Sequence, residues 1–451
     1  MNRLIAILFL LSVAQVPAAA PFSLSDSDPN SPEFRRRFLA NNGVNEAIEP
    51  KLTQEDRPLQ EAILPHLQSS PQTAINLIEQ SLTPETNPAF YTILGNLYYQ
   101  ANNYASAERY LKQSLEKFPT LRRSWRTLAL TYVQRSMFKD AVAPLLQVIK
   151  LGGGDDQSYG LLAYAYLNNE KYESALSAYR MARMFKPDSL DFRRGQAQCL
   201  LQTEQHHAAI ALFDELLDEL PTEKDFWLLQ ANSFLALGRP IEAIANLEIV
   251  ADSGQADWAS LMLLGDLHLN EDLAQVALKV YQRAVRETTP GDWSQVLRPL
   301  RYLLDRRLFA EAKTYLDLIR DRAAGKLDPI DTRRMNVSEA HIEMEIGDAN
   351  KAFEILTQVI AEDPLDGQCL LLLSEHHQRR SEFEKAEFYL ERATNLDHHR
   401  VEAYIALGRL EVTRGRLKAS LPHLRQAQQL RPSPNVERYI ESIQRAIDAM
   451  R

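Results

Sequence analysis

The chain comes back into register with itself every 34 residues, and no other feature restricts its fold as strongly. Tyr91, Leu94, Gly95, Tyr98, Ala107, Leu111 and Pro119 map one step on to Trp125, Leu128, Ala129, Tyr132, Ala141, Leu145 and Gly153. A second step reaches Tyr159, Leu162, Ala163, Tyr166, Ala175, Tyr179 and Pro187. Three more keep the phase through Ala197, Ala209 and Phe213, then Ala231, Ala243 and Leu247, then Gly265, Ala277 and Tyr281. Inside each unit the apolar residues fall at helical spacing in two runs, parted by polar turns such as Asn102-Asn103 and Asn168-Asn169. A pair of helices this short cannot bury a core alone, so the units must stack on one another.

Residue size at each slot says how they stack. Gly or Ala at the eighth slot and Ala at the twentieth mark the closest approach of helix A and helix B, where only a small side chain fits. Large residues at slots four, seven, eleven and twenty-four fill the space around that contact. Pro at slot thirty-two ends helix B, because proline cannot continue the hydrogen-bond ladder. Composition agrees: 16 glycines in 451 residues is about half the average share, too few for the tight turns of a sandwich or barrel.

These slots resemble the tetratricopeptide repeat, with its W-x-x-L-G-x-x-Y, A-x-x-x-F and P pattern. The resemblance implies an all-α, right-handed superhelical solenoid. Residues 1–18 read as a signal peptide, 19–54 as a partly disordered lead-in and 55–87 as a degenerate first repeat. Six regular repeats occupy 88–291. After Pro290-Gly291 the phase slips by one, and 292–332 reads as an irregular repeat with a hinge insertion, Leu327 to Thr332. Three regular repeats follow at 333–434, and 435–451 reads as a closing helix that caps the apolar end.

The leader rests on Arg3, the short apolar run Leu4 to Val13, and Val16-Pro17-Ala18 before a cut after Ala18. The run is too short for a membrane span, and no cysteine lies nearby to carry a lipid. A periplasmic, exported protein without an integral span is expected. Cys199 and Cys369 are far apart in the repeat array, so two free, mostly buried thiols are expected.

No catalytic constellation, cofactor site or metal site is read from the residues; the chain reads as a non-enzyme. Gly152-Gly153-Gly154 is followed by Asp155-Asp156 rather than Lys and Ser or Thr, so it is a helix stop and not a phosphate loop. Asp155 or Asp156 then caps the next helix. Histidines pair as His206-His207, His376-His377 and His398-His399. Adjacent residues on a helix diverge by about 100°, which suits packing; a zinc site drawing on His376 and His398-His399 is the alternative. Acidic residues outnumber basic ones by 60 to 51, against a nucleic-acid partner.

The resemblance places partner contacts on the concave face, at helix A slots two, five, nine, twelve and thirteen. In the first block these give Asn96, Tyr99, Arg123, Arg126, Tyr164, Arg194, Gln198 and Asn232. Apolar rungs would anchor a segment of an envelope protein, and Arg123, Arg126 and Arg194 would hold its carboxylates. The family's two-carboxylate clamp is not supported, since Thr92 stands where its Lys would be and Thr127 where a second Asn would be. The lead-in Pro32 to Leu39, with Val44 and Ile48 to Lys51, is similar to exported bacterial repeat proteins associated with TonB and ExbB/ExbD systems. The expected function is a periplasmic protein-binding scaffold, accessory to such a complex; the alternative is a factor binding peptidoglycan or exopolysaccharide.

Overall fold

The computed structural model describes residues 49–287 and 293–450. The residues read as a signal peptide with its cleavage site, and most of those read as a lead-in, lie outside the described residues. Among those described, all regular structure is helical, and ten consecutive helix hairpins carry the repeats. Repeats 1 to 3 pair Pro88–Gln100 with Tyr104–Lys117, Arg122–Gln134 with Phe138–Val148, and Asp156–Asn168 with Tyr172–Phe185. Repeats 4 to 6 pair Leu190–Gln202 with His206–Glu219, Lys224–Ala236 with Pro240–Asp252, and Trp258–Asn270 with Ala274–Glu287. Repeat 7 pairs Leu297–Asp305 with Phe309–Arg322, and repeat 8 pairs Pro329–Ile346 with Ala349–Glu362. Repeat 9 pairs Gly367–Arg379 with Phe383–Thr394, repeat 10 pairs Arg400–Thr413 with Leu417–Leu430, and Pro434–Ala449 closes the chain. Two compact units result, one ending at Val250 and the other beginning at Ala251. No helix among the described residues is long and apolar enough to cross a membrane.

The small-against-large rule is met at atomic distance. A Cβ added at Gly95 would lie 2.5 Å from Leu111, at Gly265 2.3 Å from the Tyr281 ring, and at Gly408 2.5 Å from Leu424. Each pair joins slot eight of helix A to slot twenty-four of helix B in one hairpin. Two other glycines act between hairpins: Gly160 receives the Phe192 ring and Gly195 the Tyr179 ring. Their slots do not repeat, so the 34-residue period does not disclose them.

The turn between helix A and helix B is equally regular. In each of repeats 1 to 6 the amide two residues past the helix cap returns to the slot-eleven carbonyl. Asn103 N–H reaches Tyr98 O at 2.9 Å, Lys171 reaches Tyr166 at 2.9 Å and Gln205 reaches Leu200 at 2.8 Å. This closure needs a left-handed residue just before it. Asn102 takes that place at φ 58°, Gly238 at φ 69°, and Glu170 and Glu204 at φ 58° and 56°. Between hairpins the proline slot does more than stop helix B. The indole N–H of Trp125 donates to Pro119 O, and that of Trp227 to Pro221 O, both at 2.8 Å. Slot four of one repeat is thereby tied to slot thirty-two of the one before.

In the first unit a continuous cluster of buried apolar side chains runs from Tyr99 to Phe226. A second, from Ile63 to Tyr110, absorbs the degenerate leading segment, whose Ala74, Ile75 and Ile78 are buried. In repeats 8 to 10 the apolar clusters are smaller and separate. The final helix buries Ile443 and Ile447 against Leu421 and Leu424. The residues read as a hinge insertion behave otherwise. Asp328 accepts from the Asp331 amide at 2.7 Å, and Pro329 to Thr332 form the first turn of an 18-residue helix. At the glycine triplet Gly152 takes φ 78°, and of the two candidate caps Asp155 does the work, accepting from Ser158 N–H at 2.7 Å.

Cys199 and Cys369 are both free and buried, in different units. Burial pushes each thiol up to about 12, so little thiolate forms near neutral pH. A thiol-specific dye should label neither cysteine in the native protein and both after denaturation, as read by mass spectrometry. Gly195→Val drives a branched side chain into the buried Tyr179 ring and should cost about 1–3 kcal/mol, measured as a lower urea midpoint.

Candidate functional site

The eight groove residues read from the sequence do not form one open surface. Tyr99 is fully buried, tilted against Tyr104 within the core. Slot twelve here faces the helix beneath, which corrects its assignment to the groove. Arg126 is only 5% exposed. It reaches forward to repeat 3, donating to Asp155 Oδ2 at 2.5 Å and Ser158 Oγ at 3.2 Å. It is a strut between successive A helices and not a receptor for a partner. Arg194 pairs with Glu223 at 3.5 Å and lies over the Phe226 ring. Asn96 is half-buried and accepts from the Thr127 hydroxyl at 2.8 Å. Tyr164 packs edge-on against Phe138, and burial raises its phenol. Gln198 is exposed and Asn232 half-buried.

Arg123, at slot two, forms an ion pair with Glu49 at 2.6 Å. Glu49 belongs to the lead-in, outside every repeat. Periodicity cannot disclose a residue that occurs once, and its opposite charge to Arg123 was the one signal available. Thr92 and Thr127, the positions that failed the clamp test, are structural. Thr92 Oγ1 lies 2.9 Å from Ser114 Oγ and 2.7 Å from Ser124 Oγ in a buried hydroxyl cluster. Arg193, standing where other repeats place an aromatic, is buried and donates both ends of its guanidinium to Glu219, at 2.6 and 2.7 Å.

The second unit carries an opening on its A helices that the first-block reading left out. Repeats 7 to 9 and the start of repeat 10 enclose a cavity of about 590 Å³. Leu297, Leu304 and Val337 give it apolar walls, and Arg298, Arg301, Asp305, Arg334, Ser338 and His341 line it with polar groups. Residues 297, 301, 304 and 305 share one helical face, as do 334, 338 and 341, so the pattern is visible in the sequence once the helices are phased. Several of these groups are already engaged. Arg298 pairs with the buried Asp266 at 2.9 Å, and Arg334 with Asp331 at 2.8 Å. Asp366 accepts from Cys369 N–H at 2.8 Å as a helix cap. Arg301 and Asp305 are exposed, and among the described residues neither has an oppositely charged partner; Arg301 lies 5.6 Å from the Tyr302 ring centre. Burial lowers His341, which packs edge-on to Phe309.

His376 and His377 are packing elements. His376 stacks on Phe353 and His377 on Tyr389. His377 Nδ1 lies 2.8 Å from Glu382. Lys385 and His377 together hold that carboxyl at about 2. The His399 ring occupies the space a side chain at Gly367 would need. Among the described residues no cluster of three His, Cys, Asp or Glu is placed to hold a metal ion. Because Arg126 is a buried strut, Arg126→Ala should destabilise the first unit by about 1–3 kcal/mol, seen as a lower urea midpoint. A neutral response would mean that Asp155 and Ser158 find water at no cost.

The tetratricopeptide repeat family model matches residues 94–156, 161–224 and 228–292. No curated protein matches the sequence. Among solved structures, a tetratricopeptide repeat protein from Parabacteroides merdae ATCC 43184 is 14% identical. It covers 59% of this chain and 99% of its own, with a TM-score of 0.34. YrrB, described as a TPR protein with an unusual peptide-binding site, is 16% identical over 47% of this chain and 98% of its own, at a TM-score of 0.36. The APC/C hetero-tetramer Cut9–Hcn1 is 14% identical over 88% and 91%, at 0.35. Residues 94–292 of this chain carry tetratricopeptide repeats, a fold that mediates protein–protein interaction.

Proposed function

We propose that this protein is a non-catalytic scaffold of the bacterial periplasm that holds a segment of an envelope protein along the A-helix face of its repeats. The observation that carries this reading is the cavity of repeats 7 to 10, where Arg301 and Asp305 stand exposed beside the apolar walls of Leu297, Leu304 and Val337. Apolar anchors supply burial, and the two opposite charges orient a segment that carries both signs. Export rests on the leader around Arg3 and Leu4 to Val13. A role as accessory to an energised TonB-type transport complex rests on the lead-in resemblance. Among the described residues the cavity lining holds no Trp, Tyr or Phe, the residues on which sugar rings stack, so a peptidoglycan or exopolysaccharide ligand is the less supported reading.

In affinity capture from envelope extracts, Arg301→Glu with Asp305→Lys should lower partner recovery about tenfold. Thermal melting should stay unchanged, because both side chains are exposed. Equal recovery by both proteins would remove the cavity from the binding surface, and retention on cell-wall sacculi instead of protein would favour the polymer reading. Leu8→Arg should leave the unprocessed chain in the cytosolic fraction.

A further inference from the structure

The arginines on the A-helix face of the first unit are answered by the chain itself, in two different ways. Arg126 and Arg194 meet carboxylates of the next repeat. Those pairs recur with the stacking and hold one hairpin to another. Arg123 meets Glu49, which precedes the repeats and stacks on nothing. The Glu49 side chain is nevertheless 12% exposed, while Arg123 keeps 40% of its surface. Glu49 is thus the inserted member of the pair, lying in the position of a guest.

The residues after Glu49 are held in the same polar manner. Asn87 donates from its side-chain amide to Lys51 O at 2.8 Å and to Asp56 Oδ2 at 3.0 Å. Its amide oxygen meanwhile accepts from Ala89 N–H, capping the first helix of repeat 1. Asp56 also accepts from the Thr53 amide at 2.7 Å and the Thr53 hydroxyl at 3.0 Å. The segment 49–56 therefore spans from the start of repeat 1 to the start of repeat 2. It buries no apolar anchor, since Leu52 is 43% exposed. With Arg123 keeping 40% of its surface, an ion pair open to solvent on one side is worth little net. The contact persists because the segment is tethered, which keeps its carboxylate at a high effective concentration.

We propose that residues 49–56 occupy, in cis, a site at which repeats 1 and 2 take an acidic segment of a protein partner, and that the partner must displace them. The exchange is close to balanced, because one carboxylate replaces another on Arg123 and one backbone carbonyl replaces that of Lys51 on Asn87. The lead-in then acts as a latch that rejects weak acidic segments and yields to those with further contacts along the repeats. This rests on the reading of the A-helix face as the partner-binding surface. It concerns the first unit, so it fails or stands separately from the cavity variants of the second.

The test uses the full chain and a fluorescein-labelled peptide of the eight residues from Glu49 to Asp56, followed by anisotropy. The wild-type chain holds its own latch, and Glu49→Ala with Asp56→Ala releases it. The released chain should bind the peptide about tenfold more tightly, and adding Arg123→Ala should cancel the gain. Equal affinity for both chains, absence of binding to both, or a gain that survives Arg123→Ala overturns the proposal. Glu49→Gln, which keeps the side-chain shape, gives a second measurement should the double variant fold poorly. Trypsin should cut after Lys51 faster in Glu49→Gln than in wild type, and an unchanged rate also overturns the latch.

Discussion

Everything in this protein depends on how closely two helices of a hairpin can approach. At the eighth slot of helix A the side chain is a glycine or an alanine, and the slot-twenty-four residue of helix B fills the space it vacates. Gly265 against Tyr281 shows how tight the fit is, with a hypothetical Cβ 2.3 Å from the ring. Interiors packed at crystal density leave no room for compromise at such contacts. Once that distance is set, the slot-eleven carbonyl lies where the turn amide can close on it. The indole of the next repeat likewise lies where it can donate to the proline carbonyl. In repeats 1 to 6, helix pairing and turn closure are consequences of this one steric rule.

Charge is organised by a different logic. The A-helix face of the first unit looks cationic in the sequence, yet its arginines reach the chain's own carboxylates. A guanidinium buried as deeply as Arg126 must be paired, because leaving it alone costs more than the pair returns. Asp155 serves twice, capping its own helix through one oxygen and receiving Arg126 on the other. Arg193 and Glu219 do the same work between the helices of repeat 4. Charges left without an opposite partner, as Arg301 and Asp305 are among the described residues, stand instead where a cavity leaves room for something else.

Legibility followed repetition. The helix pairs, the small slots, the capping role at Asp155 and the solvating final helix could all be read from residue type and phase, since each recurs or has a local signature. Features that occur once were not legible. Gly160 and Gly195 seat rings from a neighbouring hairpin, and nothing in their own slots announces it. The segment Leu327 to Thr332 breaks the period, which suggested a hinge. Asp328 and Pro329 are also a good helix start, and the structure uses them as one. Slot number alone puts Tyr99 and Arg126 on the groove, yet both side chains are buried. Burial depends on the neighbouring repeat's side chains, which vary from one repeat to the next.

The amino-acid sequence by itself determined the all-helical class, the 34-residue unit and the residues at which its helices touch, because those follow from side-chain size at fixed spacing. Only the tertiary structure decided which polar side chains remain available to a partner. Stacking brings Asp155 and Glu223 onto arginines of the preceding repeat, and the lead-in brings Glu49 onto Arg123. It also opens a cavity in the second unit, where the A helices of repeats 7 to 9 flank a space of their own. Charge pairing is a property of distances across the stack, and a one-dimensional period carries no information about which carboxylate will arrive there.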